Sequence, residues 1–290
     1  VTEAAGAVAR LGAVLAATTQ RLRGAGVPAP EVDAALLLAH VTGHARSRLR
    51  LAADEPILPD VAAALEALVV RRAAREPVQL LLGTVGFRYL DVAVRPGVFI
   101  PRPETEVLAG LAIDRVDAGG LVLEPCTGTG AIACAVATEA GARVVATDRS
   151  DDAVALARHN AAASGADVAV HLGDLLAPVP GALRGSVEVL VANPPYVAAD
   201  ELDDLSPEVA DWDPRDALVS GPTGHELSDR LTAEAPAWLR SGGWLLLEVD
   251  ATRAAEAAAR CRAAGYTGVE VVADLTGRER HVAARWPGAS

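Results

Sequence analysis

The sequence predicts an α/β fold: a doubly wound, mainly parallel seven-stranded sheet, preceded by a small helical domain and a connector carrying a β-hairpin. Three observations point there. Beyond Glu104 short apolar runs alternate with helical segments at the spacing of strand–helix–strand units. Before Arg75 no alternating pattern interrupts the helical one. Each chemically loaded motif also falls where a strand should end, the edge at which such sheets bind ligands.

Taken in order, residues 1–75 read as a helical domain. Ala7 to Leu22 is helical by composition and is stopped by Gly24-Ala25-Gly26. Pro30-Glu31 opens a second helix, Val32 to Thr42, and Pro59-Asp60 a third, Val61 to Arg75, with Leu65, Leu68 and Val69 at helical spacing. Residues 76–103 form the connector. There Phe87 to Val94 alternates and is expected to pair with Val98-Phe99-Ile100 as a hairpin. Residues 104–290 form the α/β domain. A strand at Leu121-Val122-Leu123 leads through a Gly-rich turn into a helix at 131–140, and one at 143–147 leads into a helix at 151–164. A strand at 168–172 ends on Gly173-Asp174, and one at 187–192 ends on Asn193-Pro194-Pro195-Tyr196. A strand at 244–249 precedes a helix at 252–264, and runs at 269–272 and 281–285 close the sheet as an antiparallel pair.

Composition bounds the function. With 290 residues and 51% hydrophobic content the chain can bury a sizeable core, but aromatics are 3%, so Ala, Val and Leu must fill it. Every basic residue is Arg, and Lys and Met are missing, as GC-rich coding would give; Val1 is consistent with a GTG start codon. The net charge of -12 argues against a general nucleic-acid binder and is compatible with a basic protein partner. Cys126, Cys134 and Cys261 make neither a CxxC pair nor an even disulfide framework, so a reduced, cytoplasmic setting is expected. No signal peptide, no bilayer-spanning run and no metal site are expected.

Asn193-Pro194-Pro195-Tyr196 suits the grip of a planar –NH₂ group. The Asn193 oxygen can accept from one N–H, a proline-fixed carbonyl can be aimed at the second, and the Tyr196 face can cover the flat group. The plain alternative is a Pro-Pro turn that merely ends a strand. In Glu124-Pro125-Cys126-Thr127-Gly128-Thr129-Gly130 the glycines let backbone approach a ligand, and the following helix offers unpaired N–H groups. A dinucleotide fold uses such a turn for pyrophosphate, whereas Glu124 suits a cationic ligand better. Asp148 is placed to take both hydroxyls of a ribose, with Ser150 and Asp151 better placed to cap the helix. Asp174 can meet an adenine amino group, with Leu175 on the ring; an anchor for the loop is the equal alternative. Acid, glycine turn, acid, acid and Asn-Pro-Pro-Tyr together describe a site for S-adenosylmethionine.

At these residues the sequence resembles the glutamine-N5 methyltransferases of peptide-chain release factors, the HemK/PrmC family. The likeness runs nearly end to end. It includes the segments Gly26 to His40, Glu76 to Gly83, Ile100-Pro101-Arg102-Pro103-Glu104-Thr105-Glu106, Asn193 to Tyr196, Trp212 to Leu218, Gly242 to Glu248 and Asp274 to Arg280. The resemblance implies a Rossmann-like class I methyltransferase; a monomer is the default expectation, since the sequence does not show the oligomeric state. Such an enzyme would move a methyl group from S-adenosylmethionine, leaving S-adenosylhomocysteine, to the Gln of the Gly-Gly-Gln loop of a class 1 release factor. It further implies that Cys126 to Gly130, Asp148, Leu175 and Asn193 line the cofactor and that Asn193 to Tyr196 hold the Gln. Arg102 and Glu104 would join the substrate site, and the helical domain would recognise the release factor. Three positions depart from the family pattern: Glu124-Pro125-Cys126 stands where Asp-Leu-Gly is usual, Val249-Asp250 replaces a run leading to Gln, and Trp212 replaces Phe. These departures leave a paralogue acting on another amide or amine as the second enzymatic reading, a nucleic-acid base being disfavoured by the acidic charge. A binding protein without transfer activity is opposed by the intact Asn193 and Tyr196.

Overall fold

The computed structural model describes residues 9–288. The chain divides into two compact units, one ending at Gly83 and one beginning at Thr84.

The first unit is helical: α1 (Leu11–Gly24), α2 (Pro30–Thr42), α3 (Pro59–Ala73) and α4 (Val78–Leu82). Pro30 and Pro59 open their helices, where a missing N–H costs nothing. Leu22, Leu37, Leu38, Leu65, Val69, Val78 and Leu81 close one apolar core. Within it Arg72 Nε donates to Asp33 at 2.7 Å and Arg72 also reaches the Glu76 carbonyl at 3.1 Å, so this buried cation is held on two sides. The expected start of the first helix at Ala7 lies outside the described residues. The unit also runs eight residues past Arg75, because α4 buries Val78 and Leu81 in the same core and is too short for helical periodicity to show.

The second unit begins with a hairpin, β1 (Thr84–Phe87) and β2 (Leu90–Ala93), paired antiparallel. The reversal lies at Arg88-Tyr89, so Val98 to Ile100 is not the second strand that the alternation suggested. Nothing in Arg88-Tyr89 has the Gly or Asn that usually marks such a turn. Arg88 takes φ 51, and its guanidinium is held by both oxygens of Glu139 at 2.6 and 2.7 Å. Val98 and Ile100 are buried outside any strand.

The rest follows in the order α5 (Thr105–Ile113), β3 (Leu121–Pro125), α6 (Ala131–Ala140), β4 (Arg143–Asp148), α7 (Asp151–Ser164), β5 (Val168–Leu172) and β6 (Val187–Ala192). A region of short pieces comes next: β7 (Val197–Ala198), α8 (Pro207–Ala210), α9 (Arg215–Leu218) and β8 (Val219–Gly221). The chain ends with α10 (Glu226–Glu234), β9 (Leu239–Glu248), α11 (Ala254–Ala263), β10 (Thr267–Ala273) and β11 (Glu279–Arg285). Seven strands form one sheet in the order β10-β11-β9-β6-β3-β4-β5. The pairs from β9 to β5 are parallel, and β11 runs antiparallel to both its neighbours.

Alternation sorts side chains to two faces. Leu121, Leu123, Leu190, Leu245 and Leu247 pack with α10 and α11, whereas Val122, Val144, Val189, Val191 and Leu246 pack with α5, α6 and α7. Burial on both faces is why the central strands read as continuous apolar runs. The chain leaves β3 toward β4 and β5 and later leaves β6 toward β9, so the strand order reverses between β3 and β6. That reversal opens a crevice at their C-terminal ends. Among the described residues no helix is long and apolar enough to cross a membrane.

Candidate active site

The turn after β3 is held from four directions. Cys126, Gly128 and Gly130 take φ of 59, 55 and 79, all left-handed. Glycine adopts that region freely, whereas for Cys126 it costs roughly 1–2 kcal/mol. Gly130 is required on a second count, since a Cβ there would sit 3.1 Å from Ala157 of α7. Thr127 N–H donates to the Thr147 carbonyl at 3.0 Å, and its hydroxyl to Glu124 at 2.7 Å. Gly128 N–H donates to Asp148 Oδ2 at 2.9 Å. Asn160, buried on α7, donates to the Thr129 carbonyl at 2.8 Å and exchanges two hydrogen bonds with the Ala93 backbone.

Three carboxylates face this turn, each in a different state of commitment. Glu124 is 2% exposed, and burial pushes its carboxyl up to about 8 against the opposing pull of the Thr127 hydroxyl. Burial, then the Asp148 charge, also push the Cys126 thiol up, so it stays protonated at neutral pH. Asp148 accepts Ser150 N–H at 3.0 Å through Oδ1 as well as Gly128 N–H through Oδ2, and each oxygen keeps a lone pair. Asp174 is half exposed and forms a pair with Arg230 at 2.8 Å. Beside it Leu175 takes φ 45, buried, with its carbonyl accepting the Thr147 hydroxyl at 2.6 Å.

Asn193 follows the buried end of β6. Its Nδ2 donates to Thr105 Oγ1 at 3.2 Å, which leaves Oδ1 as the open acceptor. No described backbone donor reaches the Pro194 carbonyl. Burial and then the Glu248 charge push the Tyr196 phenol up to about 12, with Arg280 opposing. Arg280 lies 3.8 Å from Glu104 and 3.5 Å from Asp274. Arg102 pairs with Asp213, whose side chain has no exposed surface and whose Oδ1 also accepts Ile100 N–H at 3.4 Å.

These groups share one cleft of about 1330 Å³. It is lined by Arg102, Glu104, Glu124, Cys126, Thr127, Gly128, Thr129, Asp148, Asp174, Leu175 and Asn193 to Tyr196, and of the predicted site residues only Gly130 is absent, turned to Ala157 instead. Arg102 and Glu104 reach the wall already engaged, by Asp213 and by Arg278 and Arg280. Thr105, Asn160, Asp213 and Arg280 belong to the site's framework and carry no pattern of their own in the sequence. Thr105, Asp213 and Arg280 lie within the family-like segments 100–106, 212–218 and 274–280, their only signal. Asn160 has none.

The cleft holds two kinds of surface. Around the close-approach turn stand Glu124, Asp148 and Asp174, an acceptor set that fits a ligand with hydroxyls, an amine and a positive charge, the two Asp carboxylates repelling a pyrophosphate. The lining also includes Asn193 and Pro194, which bring an open amide oxygen and an open carbonyl. At about 1330 Å³ the cleft exceeds the roughly 300–1,000 Å³ of a single small-ligand pocket, leaving room for a second reactant.

Comparison with known proteins gives matches in each of the two units. Residues 13–83 match the family described as PrmC N-terminal domain, and residues 92–208 match the family described as Methyltransferase small domain. The release factor glutamine methyltransferase of Mycolicibacterium smegmatis is 43% identical over 279 residues, covering 95% of this chain and 97% of that protein. That of Deinococcus radiodurans is 45% identical over 279 residues, covering 95% and 98%. Among solved structures, a methyltransferase from Pyrococcus furiosus aligns with a TM-score of 0.53 and 20% identity over 77% of this chain and 98% of that one, a likeness of fold.

Proposed function

The chain belongs to the release factor glutamine methyltransferase family, and from that premise we propose that it methylates the side-chain amide nitrogen of the Gln in the Gly-Gly-Gln segment of a class 1 peptide-chain release factor, using S-adenosylmethionine. The observation that carries the reading is the pair of open acceptors, Asn193 Oδ1 and the Pro194 carbonyl, in the same cleft as the acid-lined turn.

An amide nitrogen is a poor nucleophile because its lone pair is delocalised into the carbonyl. Two acceptors, one per N–H, draw density onto that nitrogen and fix the plane of the group. Positioning and electrostatics then supply the rate. The walls that hold the group are Pro195 and the face of Tyr196, whose phenol keeps its proton at neutral pH. No side chain needs to remove the proton before attack, since it is lost once the nitrogen has been alkylated.

S-adenosylmethionine, when bound, supplies an electrophilic methyl group on a sulfonium. For its binding we assign Glu124 to the cationic end, Asp148 to the ribose hydroxyls, and Asp174 with Leu175 to the adenine. The backbone from Cys126 to Gly130 gives the close approach between them. The helical unit is assigned to recognition of the factor. We take it to act as a monomer in the cytoplasm, and action on a protein rather than on nucleic acid accords with the net charge of -12.

The test is transfer of a labelled methyl group from S-adenosylmethionine to a purified class 1 release factor. The reading expects label on the factor and none on a version whose Gly-Gly-Gln glutamine is replaced by Ala. Equal label on both, or none on either, would overturn it.

A further inference from the structure

We propose that Thr105 is a positioning residue for the transfer reaction: its hydroxyl holds the Asn193 amide with Oδ1 directed to the substrate. This rests on the function proposed above. An Asn side chain turns about two bonds, so its acceptor can take several positions, and a substrate N–H is met in only one of them; anchoring the group at Nδ2 holds Oδ1 in place before the substrate arrives.

The fold supplies one restraint on that choice. Asn193 Nδ2 donates to Thr105 Oγ1 at 3.2 Å, and it is the one hydrogen bond of this side chain among the described residues. Thr105 is 4% exposed, so solvent does not readily replace it. Its own place is well determined. It is the first residue of α5, and its N–H donates to the Arg102 carbonyl at 3.1 Å. Arg102 is tied to the buried Asp213, and Glu104 lies beside Arg280. The charged residues of Pro101-Arg102-Pro103-Glu104 thus brace the turn that presents the Thr105 hydroxyl. Across the sheet, the residue it holds follows directly on β6. Two segments far apart in sequence meet at this single polar contact.

The experiment compares Thr105→Val, which keeps the shape and removes the hydroxyl, with Thr105→Ser, which keeps the hydroxyl. Both are assayed for methyl transfer to the release factor and for S-adenosylmethionine affinity, alone and combined with Asn193→Ala. Thr105→Val should lower kcat tenfold or more while cofactor Kd stays within twofold, and Thr105→Ser should stay within threefold of the parent. In the Asn193→Ala background Thr105→Val should add nothing further, because its effect passes through Asn193. Parent-like kcat for Thr105→Val, equal loss for Val and Ser, or undiminished loss in the Asn193→Ala background would each overturn the assignment. If Thr105→Val does not fold, Thr105→Ala is judged by the same three comparisons. Failure of the parent protein to methylate the factor at all would instead strike the function proposed above.

Discussion

Asp148 Oδ2 accepts the Gly128 N–H at 2.9 Å, joining the ends of two neighbouring strands across twenty residues of sequence. The same carboxylate therefore shapes the turn and faces the cleft. Asp148→Ala should remove both functions. Hydrogen bonds to a charged group are worth about 1.5–3 kcal/mol, so S-adenosylmethionine should bind roughly tenfold to a hundredfold more weakly. Asp148→Asn keeps an acceptor for Gly128 and should fall between. Calorimetric titration of the three proteins checks the order, and equal affinities would remove Asp148 from the cofactor wall.

Glu124 predicts a pH effect. Its carboxyl is pushed up to about 8 from 4.5, so between those values the folded protein holds a proton that the unfolded chain has released. Stability of the cofactor-free protein should therefore fall as pH rises through that window, since there the folded state binds more protons. Glu124→Gln should flatten this part of the profile and also weaken cofactor binding, because Gln has no proton to release when a cation binds beside it. Melting temperatures at pH 5 and pH 8 decide it; parallel profiles for parent and variant would contradict the account.

Arg102 predicts stability more than chemistry. Arg102→Ala strands the Asp213 carboxylate, which has no exposed surface, and breaking a buried pair from one side costs about 3–5 kcal/mol. Replacing Asp213 as well, by Leu, should recover much of the loss. Urea unfolding of the two variants measures this. A single variant as stable as the parent would return Arg102 to the substrate site.

Asn193→Ala should separate binding from turnover. The contacts assigned to the cofactor come chiefly from Glu124, Asp148 and Asp174, so affinity for S-adenosylmethionine should change less than turnover. Loss of one positioned acceptor should lower kcat by about 10²–10³, the scale seen when a single preorganised hydrogen-bonding group is removed. Steady-state kinetics beside calorimetry tests the split, and matched losses in both would place Asn193 on the cofactor side alone.

Much of this architecture is legible because the parallel strands carry their signal in short windows. Val187 to Ala192 is apolar except for Glu188, since both of its faces are covered from Val189 on, and Asn193 directly after it stands out by contrast. The hairpin is harder: alternation runs on through Arg88-Tyr89, and the left-handed φ of Arg88 is set by a tertiary pair with Glu139 that no local pattern announces. The pieces β7, α8, α9 and β8 are two to four residues long, below the length at which periodicity exists. At the site, Glu124, Asp148 and Asn193 are visible as lone polar residues at strand ends. Thr105 and Asn160 are not, because each is a small polar residue at or within a helix, and its partner lies far away in sequence. Arg102 is visible as a charged residue of its segment, but its pair with the buried Asp213, more than a hundred residues on, is not.

The central claim is that this cleft methylates a protein glutamine, and locating the product tests it most directly. After incubation with S-adenosylmethionine, a class 1 release factor is digested and its peptides are sequenced by fragment mass spectrometry. The account predicts the mass of one added methyl group on the side chain of the Gly-Gly-Gln glutamine, and none when the enzyme carries Asn193→Ala. A methyl group on any other residue, or an unmodified glutamine beside an active parent enzyme, would contradict it.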